Sequence, residues 1–224
     1  MEISKYARDV LTFPLSRHAL PMLVIGTVIS AVMNVTAFAG ILGFLASIIW
    51  AGYLCATFFS LMLSATNEHG GAPEFADASN VVEDVLVPLV RVVGVFLLSI
   101  APLIIYWLRA EDPQPTGLLP TSLTIFAIVY FPMAILAVGV LNNATAANPW
   151  LVAVSIVRTL PYYALCVALI AGVYHLGMWL DRSFDSSMWI AWSVTAFTGM
   201  FTIMATARAL GLLYRIKEDD LCWV

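Results

Sequence analysis

The side chains that most often carry chemistry in proteins are scarce and scattered in this sequence. No two histidines have the i, i+4 spacing that places two metal-binding imidazoles on one helix face, and no CxxC pair or GxSxG nucleophile motif occurs. The histidines and cysteines are His18, His69, His175, Cys55, Cys166 and Cys222. The sequence therefore predicts no catalytic residue, no metal ligand and no cofactor.

The composition indicates that lipid is the main solvent of this chain. Of its 224 residues, 62% are hydrophobic and 11% are charged, and the mean hydropathy is +0.94. The net charge of −4 comes without a cluster of Lys and Arg, which argues against nucleic acid as a partner. The elements that must position any functional group are therefore membrane helices.

Six apolar stretches approach the roughly 20 residues that a helix needs to cross the hydrocarbon core of a bilayer. They cover residues 20–39, 41–63, 92–108, 121–141, 161–180 and 188–207. The first two are joined so closely, at Gly40, that they must form an antiparallel hairpin. We expect one polytopic domain over residues 1–224, an all-α bundle of six transmembrane helices in three hairpins.

The distribution of Lys and Arg predicts the orientation of the bundle. With six spans, the two termini and the second and fourth loops share one face, which carries eight Lys and Arg, whereas the other face carries two. The two sets are Lys5, Arg8, Arg17, Arg91, Arg158, Arg208, Arg215 and Lys217 on the first face, and Arg109 and Arg182 on the second. Both termini are therefore expected in the cytoplasm.

A partly apolar segment ending in arginine precedes each odd-numbered span. These lead-ins cover about residues 4–17, 77–91 and 148–160, and the first two share a similar frame, RDVLTFPLSR and EDVLVPLVR. In the third, Asn148 suits the N-cap and Pro149 the first position of a helix. Pro161 should interrupt that helix, so we expect the lead-in to lie near the membrane plane, in a direction distinct from the span.

Seven residues are candidates for contact with lipid headgroups. They are Arg17, Arg91, Arg158, Arg208, Arg215, Tyr214 and Trp223. Arginines at the cytoplasmic ends of spans anchor topology, and Tyr and Trp favour the interface. A re-entrant or cavity-lining role for the arginines, and a partner-docking role for the tail from Arg208 to Val224, remain alternatives.

Small residues recur every fourth position in several spans. Gly43, Ser47, Ala51 and Cys55 do so in the second, and similar stripes occur in the first, fifth and sixth. Such stripes let helix backbones approach closely. We interpret them as packing within the bundle, with an intermolecular interface as the alternative.

The middles of the spans contain no Asp, Glu, Lys or Arg, and His175 is the only histidine inside one. A charge in hydrocarbon is costly and persists mainly where function requires it. We interpret His175 as a packing residue. This pattern argues against proton relays and charged substrates.

Three segments carry a resemblance to a known family. RALGLLYRIKEDDLCW, from Arg208 to Trp223, resembles the ending of a family of bacterial multi-pass membrane proteins known only as a domain of unknown function, and YFPMAILAV at 130–138 and NPWLVAVSIVR at 148–158 are similar to its middle section. The resemblance implies a helical fold in the bacterial inner membrane and assigns no reaction. We expect a non-enzymatic scaffold or accessory subunit that contacts the bilayer and other membrane proteins, with a transporter of a small or apolar solute as the alternative.

Overall fold

The computed structural model describes residues 3–36, 40–67, 75, 80–109, 117–183, 188–221 and 223. These residues form seven α-helices and no strand. The helices are α1 (Ile3–Thr12), α2 (Leu20–Thr36), α3 (Gly40–Thr66), α4 (Val87–Arg109), α5 (Leu118–Leu141), α6 (Pro149–Ser183) and α7 (Met188–Leu221). Short 3-10 turns at Phe13–Leu15 and Ala144–Ala147, and a π-helical turn at Val81–Leu86, connect them. The predicted all-α bundle is confirmed.

Five of the helices, α3 to α7, are each long and apolar enough to cross a membrane. A sixth span results if the segment from Ile3 to Leu15 and α2 are counted as one broken helix, bent by 59°. Residues 37–39 of the first predicted span and residues 77–79 of the second lead-in lie outside the described residues.

Five helices form a ring. Contacts between α3 and α4, α4 and α5, α5 and α6, α6 and α7, and α7 and α3 close the circle. Helix α2 packs outside the ring, against α3 and α7, and α1 lies against α7. Helix α7 therefore has the largest number of neighbouring helices, since it contacts α1, α2, α3, α5 and α6.

Contacts between distant segments bring α1, the start of α4, the end of α5, the start of α6 and the end of α7 to one end of the bundle. Tyr6 of α1 reaches Ala209, and Trp223 reaches Ser155. We call this end the terminal end. The core lies in this half of the bundle, because α5 is buried continuously from Pro132 to Gly139, whereas most of its first half is exposed.

Asparagines fix the connections at the terminal end. Asn148 accepts a hydrogen bond from Trp150 N at 2.9 Å, so the predicted N-cap of α6 is confirmed. Asn80 caps the turn before α4 through Val82 N at 3.1 Å. Asn142 ends α5 with a φ of 50°, a left-handed conformation that asparagine tolerates better than most residues.

The lead-ins differ from what the sequence predicts in two of three cases. The first lead-in is a separate helix, but the second runs through Val81–Leu86 directly into α4. The prediction that the third lead-in is a distinct element is wrong, because α6 is one helix from Pro149 to Ser183. Pro161 removes only its own hydrogen bond to the carbonyl four residues earlier, and membrane helices tolerate that loss when neighbouring contacts hold them. Thr159 and Tyr163, both buried, supply those contacts.

Two tryptophans near the ends of α6 relate its length to the thickness of a bilayer. Trp150 and Trp179 are both exposed, and their 29-residue separation corresponds to about 44 Å at 1.5 Å per residue. That is close to the roughly 40–45 Å of a bilayer with both headgroup regions. The residues predicted as an in-plane lead-in are thus the first turns of a helix that is long enough to span headgroups and hydrocarbon together.

Candidate functional site

Helix α1 is held on α7 by an apolar face and two polar contacts. Tyr6 and Val10 are buried, and the Tyr6 hydroxyl donates to Ala209 O at 2.9 Å. Asp9 accepts from the Arg208 guanidinium at 2.9 Å in an ion pair that is partly exposed to solvent. The same guanidinium lies 4.9 Å from the centre of the Phe13 ring. The Arg208 side chain, predicted to contact lipid headgroups, therefore interacts with Asp9 of α1 and with Phe13.

The end of α7 folds back onto α6. The Trp223 indole N–H donates to Ser155 Oγ at 2.8 Å, and its ring lies 5.7 Å from that of Tyr214. Tyr214 is only 8% exposed and donates to Glu218 at 3.2 Å. The tail is therefore part of the packed bundle, and its contact with lipid headgroups or with a partner protein stays a prediction.

The remaining predicted headgroup residues divide into two groups. Arg91 donates to Asn142 Oδ1 at 2.5 Å and so joins α4 to the end of α5. Arg158 is exposed and reaches the Asp220 carbonyl at 3.5 Å. Arg17 and Arg215 are exposed, and their contact with lipid headgroups stays a prediction.

Met62 of α3 forms a floor across the ring, where α3, α5 and α7 converge. A Cβ added to Gly139 of α5 would collide with the Met62 side chain, and one added to Gly211 of α7 would collide with the Met62 carbonyl and Ala65. Met62 is fully buried. Because all three helices meet without room for a methyl group, the ring is sealed at this level.

An axial cavity of about 250 Å³ lies on the side of this floor away from the terminal end. Every helix of the ring contributes to its wall, which contains no charged side chain. The lining residues are Leu54, Cys55, Phe58, Val92, Phe131, Pro132, Ile135, Ile170, Thr202, Ile203, Thr206 and Leu210. The Cys55 thiol and the Thr202 and Thr206 hydroxyls are its polar groups.

A second cavity, of about 290 Å³, lies outside the ring between α2, α3 and α7. Ser30, Asn34, Ser47 and Thr195 give it a more polar wall than that of the axial cavity. The Trp50 indole donates to Ser30 at 3.1 Å and links α3 to α2 there. Leu54 and Ile203 line both cavities, so only these side chains and their neighbours separate the two spaces.

The small-residue stripes contribute to packing within the bundle only in part. Of the stripe in α3, Gly43 is buried and Ala51 exposed, while Ser47 and Cys55 line the two cavities. Close packing is made by Gly26 of the stripe in α2, where a Cβ would lie 2.8 Å from the Met200 side chain, and also by glycines outside the stripes, since a Cβ on Gly52 would lie 2.6 Å from the Val85 side chain. In α6 the whole stripe is exposed, so this chain leaves it without a partner helix; its residues are Ala164, Ala168 and Gly172.

The candidate chemical residues stay apart in the fold. The His175 side chain is exposed, and its ring lies 5.8 Å from that of Tyr174, so its interpretation as a packing residue stays a prediction. Cys166 is buried, and His69 and Cys222 lie outside the described residues. Within the described ranges, no group of three or more His, Cys, Asp or Glu side chains could hold a metal ion.

Comparisons with protein-family models, curated proteins and solved structures find no match to this chain. The assignment that the fold supports is therefore the class alone: an all-α bundle with several helices able to cross a membrane.

Proposed function

We propose that this chain is a non-enzymatic integral membrane protein that works by contact, as a scaffold or accessory subunit of a larger membrane assembly. The observation that carries the proposal is the exposed small-residue stripe of α6, Ala164, Ala168 and Gly172. Small residues at this spacing permit close approach of a second helix. A Cβ on Gly172 meets nothing within 4 Å in this chain, so the space is available to a partner.

The polar contacts of the terminal end support the same role. They fix α1, the end of α5 and the end of α7 relative to one another, while Arg8, Arg17 and Arg215 stay exposed. A rigid, charged end is suited to holding a partner in one orientation. Following the Lys and Arg distribution, we propose that this end faces the cytoplasm. The resemblance to a bacterial family supports a place in the inner membrane of a bacterium.

Co-purification tests the assembly. The full chain is extracted in mild detergent, and its stoichiometric partners are identified by mass spectrometry. Gly172→Leu should lose the partner, because a large side chain blocks close helix approach. Gly94→Leu is the matched control, since Gly94 also lies on an exposed helix face with nothing within 4 Å but belongs to no stripe. Isolation of the wild-type chain alone contradicts the proposal.

Transport of a small apolar solute is the second candidate, and the axial cavity favours it. An uncharged wall inside a ring of five helices would accept an apolar molecule and reject an ion. Flux of an apolar solute into vesicles containing the purified chain, without any partner, would replace the assembly proposal by this one.

A further inference from the structure

The axial cavity is a slot that extends along α7 and ends at the floor formed by Met62. Its lining on α7 runs from Thr202 to Leu210, which is eight positions or about 12 Å along the helix. Its volume of about 250 Å³ has room for a segment of one linear hydrocarbon chain.

The slot is large and apolar enough to hold a guest. An apolar cavity of about 150 Å³ stays free of water and binds benzene, so a slot of 250 Å³ with three weakly polar groups among its lining side chains accepts a hydrocarbon segment. It carries no charge with which a headgroup could pair. The chemistry of the wall therefore selects the apolar part of an amphiphile.

The slot also lies at the depth of the hydrocarbon core of a bilayer, where the acyl chains of lipids are found. Ile170 of its wall stands between Trp150 and Trp179, about 30 Å from the first and about 14 Å from the second along α6. The two tryptophans mark opposite interfaces. The convergence of helices at Met62 blocks the terminal side, so a chain enters from the opposite side or between helices.

We propose that the axial cavity binds one acyl chain of a bilayer lipid, end first, against the floor formed by Met62. The bound chain is a structural ligand that fills the ring, and no bond forms or breaks. The site does not depend on the proposed assembly, because its wall comes entirely from this chain.

Photochemical cross-linking in vesicles tests the site. The full chain is reconstituted in phosphatidylcholine of which a fraction carries a diazirine at the end of one acyl chain, and cross-linked residues are mapped by mass spectrometry. We expect cross-links to slot residues such as Cys55 and Thr206, in addition to outward-facing residues such as Ile49 and Phe96. Cross-links to outward-facing residues alone overturn the proposal.

A second arm distinguishes lipid from a free solute. Vesicles of unlabelled lipid receive a long-chain alcohol with the same diazirine. Labelling of the slot by the lipid probe supports the proposal whatever the alcohol does, whereas labelling by the alcohol alone overturns it and favours a solute site.

A filling variant checks that the signal arises in the slot. Cys55→Phe should reduce slot cross-links by the lipid probe at least tenfold and leave outward-facing cross-links unchanged. Val28→Phe is the control, because Val28 is exposed on α2, outside the ring. Unchanged slot labelling in a Cys55→Phe protein overturns the proposal; the wild-type map decides the matter if that variant does not fold.

Discussion

Gly211 and Gly139 act through the absence of a side chain. Both face Met62 at the point where three helices converge, and Gly211 faces its backbone, which cannot rotate away. The consequence of even one added methyl group is therefore a displacement of α7 from α3.

Gly211→Ala should lower the free energy of unfolding by about 1–3 kcal/mol, the usual cost of overpacking a tight interior. Gly94→Ala, where nothing lies within 4 Å, should instead be neutral or stabilising by up to about 1 kcal/mol, since alanine favours the helix. Thermal denaturation in one detergent compares the two. Equal effects would mean that the helices do not meet at Met62 as described.

The ion pair of Asp9 with Arg208 is partly exposed to solvent, so we expect it to contribute little to the free energy of unfolding. Asp9→Asn should change stability by under about 1 kcal/mol, because both side chains retain contact with solvent. Tyr6→Ala should cost about 3 kcal/mol or more, since it removes a fully buried aromatic side chain. Hydrogen exchange of the α1 amides measures both changes; a larger effect for Asp9→Asn would contradict this ranking.

At the scale of elements, we expect the end of α7 to stabilise the fold of the bundle. Deleting Tyr214 to Val224 removes Tyr214 and Leu221, both buried, and the Trp223 contact to Ser155. We therefore expect the deletion to lower the melting temperature clearly and to cause aggregation. Arg215→Ala, at an exposed position of the same segment, is the control and should have little effect on the melting temperature in detergent. A monodisperse, equally stable truncated protein would show that the tail is dispensable.

The positions of the helices could be predicted from the sequence, whereas their inward faces could not. Lipid sets a minimum length of apolar helix, and that length is visible at residues 41–63 or 121–141. Lipid is also as apolar as the interior of a bundle, so hydropathy does not distinguish the two faces. Gly139 and Gly211 lie in no stripe, yet they make the close approach, while the stripe from Gly43 to Cys55 largely borders cavities.

The axial cavity could not be predicted from the sequence, because it depends on how distant helices pack. Its wall combines residues from five helices between Leu54 and Leu210, and no local motif joins them. The continuity of α6 through Pro161 is likewise not visible in the sequence, because it depends on contacts with other helices. Thr159 and Tyr163, which flank Pro161, are buried, and that burial depends on helices distant in sequence.

At the scale of the whole molecule, the arrangement of ends predicts an orientation. A reporter enzyme active only in the cytoplasm, fused after Val224, should be active, and the same reporter inserted after Arg109 should be inactive. The reason is the excess of Lys and Arg at the terminal end. Activity in the reverse pattern would place both termini outside.

The central place of α7 also sets an order of events during biosynthesis. Helices α3 and α5 are made first, but both complete their packing against a helix that leaves the ribosome after them. Until α7 arrives, the ring of helices is open, and α2 lacks one of the two helices against which it packs. Completion of the bundle therefore requires contacts between distant segments, such as α7 with α2 and α3, and such contacts form slowly. A nascent chain stalled before Met188 should be a substrate for membrane quality-control proteases, even though it already contains most of the apolar helices.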